Sequence, residues 1–124
     1  MGNYLQVTPF IVIEDLEKAL GFFRDLLGFQ VLVRHSNYAY VHRETVGFRL
    51  HEQKGPDAPP AGTRRFAYYI DVKNVDEVYA ELKEKLEALP KGDVYGPVNQ
   101  WYGQRELLIL APDGNLLAFG QAIQ

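Results

Sequence analysis

An internal repeat of helix starts constrains the fold of this chain more than any other sequence feature. Asp15-Leu16 and Asn74-Val75 each place a good N-cap residue before an apolar helical stripe, 59 positions apart in a chain of 124 residues. Glu77 follows Asn74 by three positions, which is a capping-box arrangement. One predicted strand precedes each helix start, and three follow it. The pattern therefore predicts βαβββ, a joint, and βαβββ again.

The two repeats are predicted over residues 4–54 and 64–122. The first helix begins at Asp15 and ends before Gly28, and the apolar stripe of the second runs from Val75 to Leu89. The joint is the loop Gln53–Arg65, which contains three prolines and two glycines. The predicted strands are Gln6–Ile13, Phe29–Arg34, Tyr38–His42, Val46–Glu52, Phe66–Val72, Asp93–Gly96, Glu106–Leu110 and Leu116–Ala122.

The predicted fold class is α+β, with one domain over residues 1–124. Each four-stranded half leaves one sheet face open, and two such halves side by side make an incomplete barrel around a cleft. Pro9 cannot donate to a strand ladder, so the first strand is predicted at a sheet edge. A ferredoxin-like α+β sandwich is the alternative, because it also mixes helices and strands.

Composition excludes several classes of function. Hydrophobic residues make up 47% of the chain, which is enough for a packed core, and the net charge of −3 argues against a nucleic-acid partner. Cysteine is absent, so no disulfide or thiolate site is possible and the cytoplasm is the predicted location. No signal-peptide pattern and no apolar stretch of roughly 20 residues is present, so no membrane partner is expected.

Three segments of the chain together resemble a known family. They are Asp15–Phe29 (DLEKALGFFRDLLGF), Val75–Tyr79 (VDEVY), and Trp101–Glu106 (WYGQRE) followed by Ala111–Leu117 (APDGNLL). This pattern is similar to the vicinal-oxygen-chelate superfamily of glyoxalase I, extradiol dioxygenases, fosfomycin-resistance enzymes and bleomycin-resistance proteins. The resemblance covers nearly the whole chain and implies the glyoxalase/bleomycin-resistance fold. The family usually has Asp where this chain has Ala111.

The resemblance also implies where a metal ion would bind. Enzymes of the superfamily place His, Glu or Gln at four cleft-facing strand positions, and the matching positions here are Thr8, Arg49, Ala67 and Ala118. Alanine has no lone pair to offer and arginine repels a cation, so these residues do not form the usual metal site. We therefore expect no metal and no other cofactor.

The absence of metal ligands resembles the bleomycin-resistance branch. That branch implies a protein that catalyses nothing and sequesters a drug in clefts at a homodimer interface. The expected ligand is a small molecule, such as a flat aromatic or cationic antibiotic. Two alternatives are a metal-dependent glyoxalase- or dioxygenase-type enzyme with an atypical ligand set, and a regulatory module whose cleft is vestigial. The sequence leaves open the ligand's identity and whether the dimer exchanges its βαβββ units.

Six residues are candidates for contacting the ligand. Tyr38 and Tyr40 are two positions apart on one strand and share a face, as do Arg49 and His51 on the next strand. The two tyrosines line the cleft if that face is open; otherwise they pack beneath the helices. A cationic Arg49 in the cleft would hold an anionic or polar group and would oppose a strongly cationic drug, unless Asp71 or Glu106 offsets it.

The remaining candidates are aromatic. Trp101 and Tyr102 lie in a predicted loop and could stack on a flat ligand, although Trp101 could instead cover the core edge or a dimer contact. His35, His42 and His51 are the only imidazoles, and they are predicted to be surface residues rather than metal ligands.

Overall fold

The computed structural model describes residues 2–54 and 66–123. The chain divides into two compact units, Met1–Pro60 and Ala61–Gln124. In the first unit, one strand precedes a helix and three strands follow it. Its elements are β1 (Phe10–Ile13), α1 (Leu16–Leu20), which continues as a π-helical segment (Gly21–Leu26), β2 (Gln30–Arg34), β3 (Tyr38–Arg43) and β4 (Val46–Glu52).

The second unit has the same order of elements. They are β5 (Ala67–Asp71), α2 (Val75–Leu86), β6 (Val94–Asn99), β7 (Gln104–Leu110) and β8 (Leu116–Ala122). The three strands after each helix follow one another without a further helix. A ferredoxin-like arrangement has its second helix between its third and fourth strands, so that alternative is wrong.

Each unit contains one four-stranded sheet, with the orders β1-β4-β3-β2 and β5-β8-β7-β6. The first strand of each unit pairs in parallel with the last strand, and the other neighbours are antiparallel. β1 is an edge strand, as Pro9 predicted, and the carbonyl of Pro9 accepts a hydrogen bond from the Arg49 amide at 2.9 Å. The α+β fold class and the repeated βαβββ order are confirmed.

The helix side of each sheet is apolar and buried. In unit 1 the Phe23 ring, in the helical segment, lies 5.5 Å from the Phe48 ring of β4, and Leu50 on the same strand is fully buried. In unit 2 the helix-side residues of β7 and β8 are also buried, namely Leu107, Ile109, Leu117 and Phe119. The strand period of two therefore leaves the intervening side chains on the opposite surface.

Equivalent side chains cap the two helices. The Asp15 carboxylate accepts from the Lys18 amide at 3.2 Å, and the Asn74 side chain accepts from the Glu77 amide at 3.1 Å, as the sequence predicted. A second cap comes from the last strand of each unit. Glu52 accepts from the amide of the first residue of α1 at 2.8 Å, and Gln121 accepts from that of α2 at 2.9 Å.

The predicted boundaries differ from the structure by more than one residue at three strands. β1 begins at Phe10 rather than Gln6, because the preceding residues make no regular ladder. The segment predicted as Asp93–Gly96 extends to Asn99, and β7 begins two residues before Glu106. Most of the predicted joint, residues 55–65, lies outside the described residues. Within the described ranges, no helix is long and apolar enough to cross a membrane.

Candidate functional site

The open face of unit 1, opposite its helix, carries four of the predicted site residues. Tyr38 and Tyr40 alternate on β3 with the buried Ala39 and Val41, so their side chains lie on the open face. Arg49 and His51 lie on the same face of β4, and the register places Tyr40 opposite Arg49 and Tyr38 opposite His51. The alternative that the two tyrosines pack beneath the helix is wrong. We call Thr8, Tyr38, Tyr40, Arg49 and His51 the Arg49 face.

Three neighbouring side chains fix the position of the Arg49 guanidinium. Its Nε donates to the Thr8 hydroxyl at 2.9 Å, and Nη1 donates to the Tyr38 hydroxyl at 2.8 Å. The guanidinium carbon lies 5.1 Å from the centre of the Tyr40 ring, within the range of a cation–π contact. Within residues 2–54 and 66–123, no carboxylate pairs with Arg49. The cation is thus held in place and partly buried, without a counter-charge among those residues.

Tyr40 reaches its position because its neighbour is a glycine. A Cβ added to Gly47 would lie 2.5 Å from the Tyr40 hydroxyl, so any larger residue there would displace the ring. Gln6 approaches the same hydroxyl with its amide nitrogen at 3.4 Å. The position of the partly exposed Tyr40 ring is therefore set by the backbone of β4.

The histidines do not assemble a metal site. His35 stacks beside Tyr38 with ring centres 6.2 Å apart, and His42 Nε2 lies 3.3 Å from the Gln30 side-chain oxygen. In the described part of the chain, no three His, Cys, Asp or Glu side chains come close enough to hold a metal ion.

The register of the parallel strands supports the matching of the four inferred metal-ligand positions. Arg49 pairs with Phe10, two residues after Thr8, and Ala118 pairs with Tyr69, two residues after Ala67. In unit 1 the two positions bond to each other through Arg49 and Thr8, and in unit 2 neither alanine offers a donor atom. These residues do not fit the divalent metal that enzymes of this fold family use.

The open face of unit 2 is organised around a buried carboxylate. Only 4% of the Glu106 surface is exposed, and its Oε1 accepts from the Tyr102 hydroxyl at 2.7 Å. The Tyr69 hydroxyl also bonds to Glu106 and accepts from the Gln104 side-chain amide at 2.8 Å. We call Tyr69, Tyr102, Gln104, Glu106 and Ala118 the Glu106 face.

This carboxylate changes the ionisation of both tyrosines. The hydrogen bond to Glu106, followed by burial, raises the pKa of Tyr102 to about 12. Burial is the main cause of the raised pKa of Tyr69, and the bond to Glu106 adds to it. Both hydroxyls therefore stay protonated at neutral pH and act as donors to the carboxylate.

Tyr69 lies directly over a glycine, as Tyr40 does. A Cβ on Gly120 would meet the Tyr69 hydroxyl at 1.8 Å and the ring carbon Cζ at 2.2 Å. Only glycine at this position leaves room for the ring. The close approach brings the hydroxyl to Glu106, which lies opposite Gly120 in the register.

Trp101 lies next to Tyr102 at the edge of the Glu106 face. Their ring centres are 5.4 Å apart in an edge-to-face arrangement, and 92% of Trp101 is exposed. Trp101 therefore does not cover the core edge of this chain. Arg105 points to the helix side instead, where it makes a bidentate pair with Asp76 at 2.9 and 3.0 Å and lowers the pKa of that carboxyl.

The sequence interpretation missed the arrangement around Glu106. It named Trp101 and Tyr102 but not Tyr69 or Gln104, and it considered Glu106 only as a possible offset for Arg49. Strand alternation from the buried Leu107 would have placed Glu106 on the open face. Nothing in the sequence pattern indicates that Tyr69, which is distant along the chain, reaches it.

Comparison with known proteins gives one consistent family. The family model described as Glyoxalase/Bleomycin resistance protein/Dioxygenase superfamily matches residues 4–119. The bleomycin resistance protein of Geobacillus stearothermophilus is 27% identical over 133 residues, covering 97% of this chain and 98% of that protein.

Solved structures share the fold. A bleomycin resistance determinant encoded on the transposon Tn5 has a TM-score of 0.78 at 20% identity, covering 96% of this chain and 98% of its own. The bleomycin-binding protein of Streptomyces verticillus, complexed with copper(II)-bleomycin, has a TM-score of 0.76 at 19% identity over 100% of both chains. The chain therefore belongs to the Glyoxalase/Bleomycin resistance protein/Dioxygenase superfamily.

Proposed function

We propose that this protein binds a small-molecule antibiotic of the bleomycin type and acts by sequestering it, without catalysis and in the cytoplasm. One observation carries the proposal. Where enzymes of the fold family hold a metal, unit 1 has an arginine bonded to Thr8 and Tyr38, and unit 2 has two alanines. The full-length match to a bleomycin resistance protein and the bleomycin complex of a protein with the same fold support the choice of ligand.

The open faces offer suitable contacts for such a ligand. Tyr38 and Tyr40 are partly exposed, and Trp101 is almost fully exposed beside Tyr102. Rigid aromatic side chains supply large contact areas at a low cost in conformational entropy, and flat rings stack on them. The six predicted ligand-binding residues, Tyr38, Tyr40, Arg49, His51, Trp101 and Tyr102, stay part of the proposal.

Calorimetric titration with metal-free and copper(II)-loaded bleomycin tests the binding. Trp101 is the only tryptophan, so its fluorescence provides a second readout from the site itself. We expect Trp101→Ala to weaken binding by roughly 10- to 100-fold, in the range of hot-spot aromatic residues, and Trp101→Phe to retain most of the affinity. Neither heat nor a fluorescence change with bleomycin and a panel of flat aromatic antibiotics would contradict the proposal.

A DNA-cleavage assay separates sequestration from catalysis. If the protein sequesters bleomycin, protection of plasmid DNA rises linearly with protein and saturates when each drug molecule has a binding site. An enzyme would protect at far lower amounts and progressively with time. Protection of the DNA that increases with time when there is less protein than drug, together with a bound metal that survives dialysis, would favour the metal-dependent enzyme instead.

We also propose that the protein works as a homodimer. The segment before β1 exposes large apolar side chains, with Tyr4 98%, Leu5 93% and Val7 83% exposed. Contiguous exposed apolar residues commonly mark an interface. Sedimentation equilibrium tests the dimer: we expect twice the chain mass, and dissociation when Leu5 and Val7 are both replaced by Ser. A monomer at high protein concentration would be the contrary result.

A further inference from the structure

We propose that the Arg49 face binds an anionic oxygen group, most suitably the carboxylate of a flat aromatic ligand. This proposal rests on the proposed small-molecule binding and specifies which chemical group unit 1 recognises. It specifies an anionic group, whereas the sequence resemblance left a flat aromatic or a cationic antibiotic open. The observations that carry it are the fixed position of the guanidinium and, among residues 2–54 and 66–123, the absence of an acceptor for its three remaining N–H groups.

The guanidinium of Arg49 has more N–H donors than the described residues use. Arginine has five N–H donors, and Arg49 uses one toward Thr8 and one toward Tyr38. The other three have no hydrogen-bond acceptor in the described ranges 2–54 and 66–123. A partly buried cation is ordinarily paired, because desolvation costs free energy that only a counter-charge or hydrogen bonds recover.

The hydroxyls of Thr8 and Tyr38 add two further donors beside Arg49. Because the oxygens of Thr8 and Tyr38 accept from Arg49, their own protons point elsewhere. No acceptor for either proton is found among the described side chains. The Arg49 guanidinium and the Thr8 and Tyr38 hydroxyls therefore present three N–H and two O–H donors around one positive charge, and no residue of the Arg49 face has a carboxylate. A group rich in acceptors and negatively charged complements this arrangement, and a planar carboxylate matches the guanidinium edge.

Aromatic rings lie next to the Arg49 guanidinium and next to Tyr38. The Tyr40 ring holds the guanidinium from one side at 5.1 Å, and His35 stacks against Tyr38. The orientation of Arg49 is consequently fixed before any ligand arrives, which lowers the entropic cost of binding. The same rings offer apolar surface for the ring that bears the carboxylate.

Three probes that share the naphthalene ring system and differ in charge test the proposal. They are the anion 2-naphthoate, the neutral 2-naphthamide and the cation 2-naphthylmethylammonium. Chemical-shift titration of the full chain, labelled with ¹⁵N, gives both affinity and location. We expect naphthoate to bind at least about tenfold tighter than naphthamide, as charge-assisted hydrogen bonds require. The naphthoate shifts should include Arg49 Nε and the amides of β3 and β4.

Matched variants assign the preference to this residue. Arg49→Gln should reduce naphthoate affinity about tenfold, to that of naphthamide, and Arg49→Lys should restore part of it because charge returns without bidentate geometry. Arg34→Gln removes the same charge from a residue already paired with Glu17 and should leave the preference unchanged. If Arg49→Gln does not fold, the wild-type comparison of naphthoate with naphthamide still decides.

The outcomes distinguish this inference from the proposed function. Equal binding of the three probes, or a naphthoate preference that survives Arg49→Gln, would overturn the anion site even if bleomycin binds. A naphthoate preference that Arg49→Gln removes supports the anion site, including in a protein that fails to bind bleomycin. Strongest binding by the ammonium probe at the Arg49 face would also overturn it.

Discussion

The two units place opposite charges on equivalent open faces. Arg49 of unit 1 corresponds to Ala118 of unit 2, because each lies opposite the same position of the parallel edge strand. The charge of unit 2 is on the neighbouring strand instead, at Glu106, which corresponds to Tyr38. In both units, tyrosine hydroxyls hold the charged group, as an acceptor for Arg49 and as donors for Glu106.

The helix sides of the two units differ far less than the open faces. Glu52 and Gln121 make the same cap from the same strand position, and Asp15 and Asn74 make the same N-cap. These bonds satisfy amides that every helix start leaves unpaired, so any βαβββ unit benefits from them. The open face has no such general requirement. Its residues are therefore where the chemistry of the two units diverges.

The largest expected effect concerns the charge of unit 2. Replacing Glu106 by Gln removes the negative charge that Tyr102 donates to. The pKa of Tyr102 should then fall from about 12 toward its ordinary value of 10. NMR titration of ¹³Cζ-labelled tyrosine follows this ionisation, with Tyr102→Phe to assign the signal.

Asp71→Asn is the matched control, since it removes one negative charge from the same unit without touching Tyr102. An unchanged Tyr102 pKa in Glu106→Gln, or an equal fall in Asp71→Asn, would contradict the geometry. The raised pKa of Tyr102 also determines the direction in which the stability of the fold changes with pH. The Tyr102–Glu106 bond contributes fully below pH 10 and its contribution is lost as pH rises toward about 12.

The second effect compares the two glycines beneath tyrosine rings. Gly120→Ala forces both the hydroxyl and ring carbons of Tyr69 away and breaks its bonds to Gln104 and Glu106, so we expect a loss of about 2–3 kcal/mol in the free energy of unfolding. Gly47→Ala meets mainly the Tyr40 hydroxyl and should cost about 1 kcal/mol.

Second-site variants make this comparison sharper in urea unfolding. Tyr40→Phe removes the closest atom and should rescue Gly47→Ala, because the remaining ring carbons lie at 3.1 Å. Tyr69→Phe should fail to rescue Gly120→Ala, because Cζ is still only 2.2 Å away. Equal rescue at both positions would show that the two rings are not held differently.

The fold could be predicted from short-range patterns, and much of the site could not. The N-caps and the strand period of two predicted both helix starts and the sharing of a face by Tyr38 and Tyr40. The strand period could not predict which face of the sheet is open, because both faces of β3 contain apolar or aromatic residues. That choice depends on where the Phe23 ring packs, which is a tertiary contact.

Contacts between residues that are distant along the chain could not be predicted either, because they also depend on tertiary structure. The bond of Arg49 to Thr8 joins β4 to the segment before β1, and the bond of Tyr69 to Gln104 joins β5 to β7. The cap that Gln121 provides to α2 spans most of unit 2. Spacing along the chain carries no signal for such pairs, because they meet only when the strands and helix of each unit have assembled.

A smaller effect tests whether the two strand-to-helix caps are equivalent. Glu52→Ala and Gln121→Ala each remove one acceptor from a helix start. We expect each to cost about 1 kcal/mol in urea unfolding, as cap deletions typically do. Gln53→Ala, next to Glu52 on the chain, serves as the control and should have little effect. A loss at one cap and none at the other would break the equivalence of the units.

The smallest effect comes from the one difference between these caps, which is charge. Glu52→Gln keeps the acceptor but removes a negative charge from the N-terminus of α1, and should cost about 0.5 kcal/mol. Gln121→Glu adds that charge at α2 and should stabilise by less, about 0.3 kcal/mol, because Asp76 and Glu77 already occupy its first turn. Lys54→Gln separates the contribution of Lys54, which lies 3.7 Å from Glu52. Both effects should shrink in high salt, since the helix dipole is screened. Effects of the same sign in the two variants would mean that hydrogen-bond geometry rather than charge distinguishes the caps.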